Sequence, residues 1–193
     1  MMTNSSAQEA SILPALALAL TNHPRASLQE LAKAIGISKA TLYRFSRTRE
    51  ELVARLLAHS MKAMSAALAQ ARLQEDHPLQ ALQRLTALNL EQREFVGFLT
   101  YYWKEVDAAA EQECASWDAL LDAFFLRGQQ EGVFRIDFSA AALAEIWIST
   151  LLGLADAERR GRVARAELAS LVERAFLQGS QVQRPDLPHL PQS

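Results

Sequence analysis

Side chains that donate hydrogen bonds crowd into one short window near the N-terminus. Ser27, Ser38, Lys39, Thr41, Tyr43, Arg44, Arg47, Thr48 and Arg49 all fall within it. Together these residue types recognise a polyanion that also has an edge to read. Arg44 or Lys39 can donate to guanine O6 and N7, and Thr41 can meet a thymine methyl. Ala40 stands beside them on the same short stretch. Ser27, Tyr43, Arg47, Thr48 and Arg49 suit phosphates, which fix register without carrying sequence information.

Such side chains act only if a scaffold holds them in place. Ser27-Leu-Gln-Glu30 is a capping box, and it opens a short helix that stops at Gly36. Ser38 caps a second short helix and leaves its first amides facing outward. Two helices joined this tightly must pack at a steep angle. Ala32 is small where they approach, and Gly36 can take the left-handed backbone of the turn. Leu31, Ile35, Ile37, Leu42 and Phe45 supply the apolar contacts between them. Thr48-Arg-Glu-Glu51 reads as another capping box, opening a long helix to about Leu73. Its N-terminus adds amides and a favourable dipole end for a phosphate. The competing reading is a capped helical hairpin with a solvated basic face. The Ala32/Gly36 spacing and the local charge favour DNA.

That charge is local. The chain has 193 residues and a net charge of -2. From Leu20 to Arg55 seven basic residues face three acidic ones, an excess of +4 that leaves about -6 on the rest. A basic head on an acidic body fits a duplex-binding protein whose body avoids DNA. Half of the residues are apolar. Leu and Ala dominate and β-branched residues are few, so the fold class is all-α.

The segment 1–10 is small and polar and is expected to be a flexible arm. Ile12, Leu13, Leu16, Ala17 and Leu20 share a helical face. That first helix starts either at Ser11, with Pro14 in its first turn, or at Ser6, with Pro14 as a kink. Further helices follow after His77-Pro78: one through Leu79, Leu82, Leu85 and Leu88, and one with Phe95, Phe98, Leu99, Tyr102 and Val106. Another carries Trp117, Leu121, Phe124 and Phe125, and Ser139 caps the next. Asp156 to Arg162 reads as a solvated turn, and Leu168 to Phe176 as a last helix. Val133 to Phe138 alone hints at a strand. The expected division is 1–57 as a helix-turn-helix domain, 58–180 as a helical effector and dimerisation domain, and 181–193 as a disordered tail rich in proline.

Ser27 to Phe45, followed by Arg49-Glu-Glu-Leu52, resembles the TetR-type transcriptional regulators. The likeness covers roughly Ser11 to Leu57. Ala123 to Asp137 and Asp156 to Arg162 further resemble repressors of multidrug-efflux operons in that family. The resemblance implies a homodimer, joined through helices near 139–158 and 165–178, with one reading helix in each of two successive major grooves of operator DNA. It also implies a small-molecule effector in the body that moves the long helix and releases DNA. Two positions depart from the family pattern. Phe45 stands where a histidine is usual, and Arg49 where a lysine begins the long helix. Phosphate contacts are less secure there, and Arg44 and Arg47 can compensate.

Phe98, Tyr102, Trp103, Trp117 and Phe125 are the candidate effector pocket for a hydrophobic molecule, although aromatic residues at helical spacing also describe plain core. Cys114 is the sole cysteine and nothing nearby in sequence lowers its pKa. No catalytic fingerprint, metal-ligand spacing or cofactor motif is present. The apolar run Ile12–Leu20 is too short for a bilayer, so a cytoplasmic protein without a membrane partner is expected. The leading reading is a ligand-responsive repressor of efflux or transport genes. The alternative is an architectural or cell-cycle DNA-binding protein with no effector.

Overall fold

A computed structural model describes residues 3–102, 104 and 108–180. The described residues form nine α-helices: α1 (Thr3–Asn22), α2 (Leu28–Ala34), α3 (Lys39–Phe45), α4 (Arg49–Gln70), α5 (Pro78–Glu91), α6 (Arg93–Tyr102), α7 (Ala108–Gln130), α8 (Ala140–Arg159) and α9 (Leu168–Ser180). The expected tail 181–193 lies outside the described residues. Helix α1 starts upstream of both Ser6 and Ser11 and includes the segment expected as an arm from Thr3 onward. Ala7, Gln8, Glu9 and Ala10 are good helix formers, and no glycine or proline interrupts them. Pro14 lies inside the helix, where it removes one backbone hydrogen bond. No strand forms around Val133–Phe138, where Phe134 sits in an isolated bridge.

Two apolar cores divide the molecule. The first joins α1, α2, α3 and the start of α4 to α6. Leu16, Leu20, Leu31, Leu42, Leu52, Leu56 and Phe98 are fully buried in it. The second joins α5, α7, α8 and α9 through Phe124, Phe125, Phe134, Leu143, Trp147, Val172 and Phe176. Its four phenylalanines meet edge-on or tilted, with centroids 5.0 to 6.3 Å apart. Gly128 makes room for this cluster, because a Cβ there would stand 2.3 Å from the Phe134 ring. Trp147 Nε1 donates to Thr86 Oγ1 at 3.2 Å, which satisfies its buried polar end.

Helix α4 runs through both regions and through residue 57. It ends at Gln70, short of Leu73, because Arg72 leaves the helix with φ +51°. Two arginines fix the turn that follows. Arg84 donates to the Ala71 carbonyl at 2.8 Å, and Arg127 donates to the carbonyls of Leu73 and Asp76, both at 2.8 Å. Pro78 then occupies the first turn of α5, where its missing N–H costs nothing. Helix α8 continues to Arg159, so much of the expected turn from Asp156 is helical. The Asp156 carboxylate bonds to Arg159 and Arg160 one turn on, which supports the end of that helix.

Candidate nucleic-acid interface

The reading pair is built as its local chemistry requires. Ser27 Oγ accepts from the Glu30 N–H, and the Glu30 carboxylate accepts from the Ser27 N–H at 2.8 Å. The Ser27 N–H and hydroxyl bonds hold the Glu30 carboxyl below its usual range. At the other end of α2, the Gly36 N–H donates to Lys33 O and the Ile37 N–H to Ala32 O at 3.0 Å. These two bonds, with Gly36 at φ +75°, make a Schellman turn. A Cβ on Gly36 would meet nothing within 4 Å. The glycine is therefore required by its backbone angle and not by space. Ala32 is 2% exposed between the helices.

Helix α3 begins on Ser38, whose Oγ accepts from the Thr41 N–H at 3.0 Å and pairs with the Thr41 hydroxyl at 2.8 Å. Leu42 and Phe45 face inward. Lys39, Ala40, Tyr43 and Arg44 are exposed, and Thr41 is half-buried. Lys39 Nζ stands 5.3 Å from the Tyr43 ring centre. The side chains of Arg44 and Arg47 have no hydrogen-bond or ion-pair partner among the described residues. Thr48 Oγ1 accepts from the Glu51 N–H at 3.1 Å. Only half of the expected box forms there, because the Glu51 carboxylate accepts from the Arg47 N–H at 2.8 Å and not from Thr48. Ser27, Ser38, Lys39, Ala40, Tyr43, Arg44, Arg47 and Thr48 are thus all exposed, with Thr41 half-buried among them.

Arg49, expected to hold a phosphate, is bonded to two acceptors within the protein. It is half-buried, and its Nη2 donates to the Pro24 carbonyl at 2.5 Å and to the Tyr102 hydroxyl at 3.1 Å. Arg55 is a residue that sequence reasoning missed. Its guanidinium stacks 3.9 Å from the Phe45 ring centre and donates to the Phe45 carbonyl, tying the end of α3 to α4. The ten-residue gap between them carries no sequence signal.

The aromatic residues expected to form one effector pocket are not brought together. Phe98 and Tyr102 belong to the first core and stack on each other at 4.5 Å. Phe125 is fully buried in the second core. Trp117 donates from Nε1 to Ser65 Oγ at 3.0 Å, and the Ser65 hydroxyl is bonded in turn to Glu113. Trp103 lies outside the described residues. Helical spacing made these residues look like one face, but they serve three different contacts. A cleft of about 590 Å³ opens between α1, α6 and α8, with Leu18, Gly97, Leu152 and Ala155 as apolar lining. Its charged wall is Arg93, Glu94, Glu158 and Arg165. Arg93 pairs with Glu94 at 2.9 Å, and Glu158 with Arg165 at 3.0 Å. At its edge Arg159 Nη1 donates to Asn22 Oδ1 at 2.5 Å, joining α8 to α1. Cys114 is buried, and its thiol is pushed up by burial and by Asp118, Glu113 and Glu111.

The fold is that of solved transcriptional regulators. The ketosteroid transcriptional regulator of Mycobacterium tuberculosis superposes with a TM-score of 0.74 at 17% identity, covering 91% of this chain and 96% of that one. The TetR-like transcriptional regulator LfrR from Mycobacterium smegmatis, in complex with proflavine, gives 0.63 at 22% identity over 89% and 94%. With the exposed α3, this defines the class by fold: a TetR-like helix-turn-helix architecture. In sequence the chain is 44% identical over 172 residues to the HTH-type transcriptional regulator NfxB of Pseudomonas aeruginosa, covering 88% of this chain and 92% of that one. The chain belongs to the TetR family of HTH-type transcriptional regulators, with NfxB as a relative. A comparison with protein-family models finds no match.

Proposed function

We propose that this regulator is a repressor that binds a two-part operator as a homodimer and releases it when a small molecule enters the body. The observation that carries the reading is the exposed face of α3, where Lys39, Tyr43 and Arg44 stand clear, with Thr41 half-buried beside them, on a turn fixed by Gly36. Arg44 or Lys39 would read guanine, and Ser27, Arg47 and Thr48 would hold phosphates. Control of efflux or transport genes follows from the likeness of Ala123–Asp137 and Asp156–Arg162 to efflux-operon repressors.

Dimerisation is supported by α8. It is long and apolar enough to cross a membrane, yet little of it is buried within the protomer. Trp147 and Leu151 pack inward, while Ile146 is exposed and Ser149 and Gly153 offer a small-residue surface. A second copy of α8 and α9 would cover that surface. Glu145 in mid-helix and the Trp147–Thr86 bond suit a protein partner better than lipid. The effector would occupy the cleft between α1, α6 and α8 in place of the dispersed aromatic set. The Arg159–Asn22 contact at its edge links that cleft to the head. LfrR holds proflavine, which supports a ligand-bearing body in this fold.

The test is selection of duplexes from a random pool by the purified protein, followed by binding at two salt concentrations. A repeated inverted motif whose affinity falls steeply with salt is expected. Enrichment of no sequence would overturn the reading.

A further inference from the structure

Arg49 joins three elements that lie far apart along the chain. It is the first residue of α4, and its two acceptors lie 25 and 53 residues away. Pro24 belongs to the turn that leads into α2, and Tyr102 is the last residue of α6. The Tyr102 ring is 4% exposed and lies 20° from parallel to the fully buried Phe98. Its hydroxyl therefore sits on a rigid mount. The Arg49 guanidinium also stands 6.0 Å from that ring centre. A planar fork can serve two acceptors at once, which an ammonium on a flexible stem does poorly.

The α2–α3 pair is rigid within itself, through the Schellman turn and the two serine caps. Its attachment to the rest of the molecule is a separate matter. At the far side, Arg55 pins Phe45 to α4. At the near side, Arg49 pins the turn before α2 to the start of α4 and the end of α6. These two arginines are placed to fix the angle of the reading pair against the long helix.

We propose that Arg49 and Tyr102 are positioning residues for operator recognition. The Tyr102 hydroxyl steadies the guanidinium, which holds the reading pair at a set angle and so sets the distance between the two heads of a dimer. In this role neither residue needs to touch DNA. The inference rests on the dimeric, two-part operator reading given above, and its test separates the two.

The full-length protein is measured on its own selected operator, on versions with the half-sites moved one base pair closer or further apart, and on a single half-site. Tyr102→Phe keeps the ring stack and deletes the hydroxyl. It should weaken binding to the selected operator by about two- to tenfold, the range of one ordinary hydrogen bond. The preference for that spacing should shrink, while half-site affinity and salt dependence stay unchanged. Arg49→Lys should act in the same direction, and the double variant should be no worse than the weaker single one. An unaltered spacing profile in Tyr102→Phe overturns the proposal. So does an Arg49→Gln protein that loses half-site affinity with a shallower salt dependence, the mark of a phosphate contact. If the unmodified protein selects no two-part duplex, the operator reading itself fails first.

Discussion

In the head, α2 and α3 have seven residues each, too few to persist alone. They are held by serine caps, one glycine turn and a core in which leucine predominates beside Phe45, Phe95, Phe98 and Tyr102. In the body, α7, α8 and α9 have 23, 20 and 13 residues and close around four phenylalanines. Backbone conformation at a few positions shapes the first region, and side-chain volume fills the second. The head must present one face to another molecule without deforming, so its accuracy lies in turns. The body must only hold its helices together and leave a cleft. The two regions should therefore fail under different kinds of substitution.

The largest effect expected is in the body. Phe134 is fully buried against Phe124, Phe125 and Phe176. Phe134→Ala should lower stability by about 3–5 kcal/mol, from lost transfer energy and the cavity left behind. Urea unfolding measures this. Operator affinity of the fraction still folded should be unchanged at low temperature. A parallel loss of affinity would show that the two regions are not separable.

Gly36→Val is the matching lesion in the head. No atom lies near the added side chain, so only the φ of +75° opposes it. The backbone cost is about 1–2 kcal/mol, smaller than for Phe134. Duplex binding should nevertheless be lost while the dimer persists in sedimentation. Gly36→Asn, which tolerates that backbone region, should restore much of the binding. Full activity in Gly36→Val would contradict the idea that the turn angle governs reading.

The same contrast explains what the sequence reveals. The caps at Ser27, Ser38, Thr48 and Ser139 lie within three residues of their partners, as the bonds from Glu30, Thr41, Glu51 and Ala142 show. Local chemistry fixes them, so local reading finds them. Gly36 stands out for the same reason. Arg49–Tyr102 and Arg159–Asn22 span 53 and 137 residues, and no pattern along the chain announces such pairs. The aromatic residues mislead for a further reason. Helical spacing shows that Phe98, Tyr102, Trp117 and Phe125 face protein, but not whether they face a cavity or one another. Glu51 illustrates the finer limit. Its position predicts a reciprocal bond to Thr48, and a one-residue shift gives that bond to Arg47.

A third substitution tests reading without touching either core. Arg44 is exposed and has no partner among the described residues. Arg44→Ala should leave the unfolding midpoint where it is. If Arg44 reads a base, operator affinity should fall by about 1–3 kcal/mol and preference should relax at one position. Binding to a panel of single-base operator variants gives the answer. An equal loss on every sequence would move Arg44 from base reading to phosphate holding.

The smallest effect lies where the two regions share α4. The His59 ring rests 4.7 Å from the Phe95 ring, half-buried. Burial pushes its imidazole below the ordinary value of 6.5, and Lys62 adds to the shift. The folded state therefore disfavours the proton that the unfolded chain accepts. Above the unfolded value both states are neutral at this site and the stabilisation is complete. As pH falls through 6.5 towards the lower folded value, the unfolded state takes up the proton first and stability declines. His59→Gln should flatten that part of the stability profile between neutral and mildly acidic pH, measured as denaturant midpoints across the range. Because His59 abuts the first core and not the phenylalanine cluster, the slope should also disappear from the Gly36→Val protein only if the head's packing, and not merely its turn, has been lost. A slope that survives in Gly36→Val confines that lesion to the reading turn, and a slope that survives in His59→Gln assigns the pH response to another group.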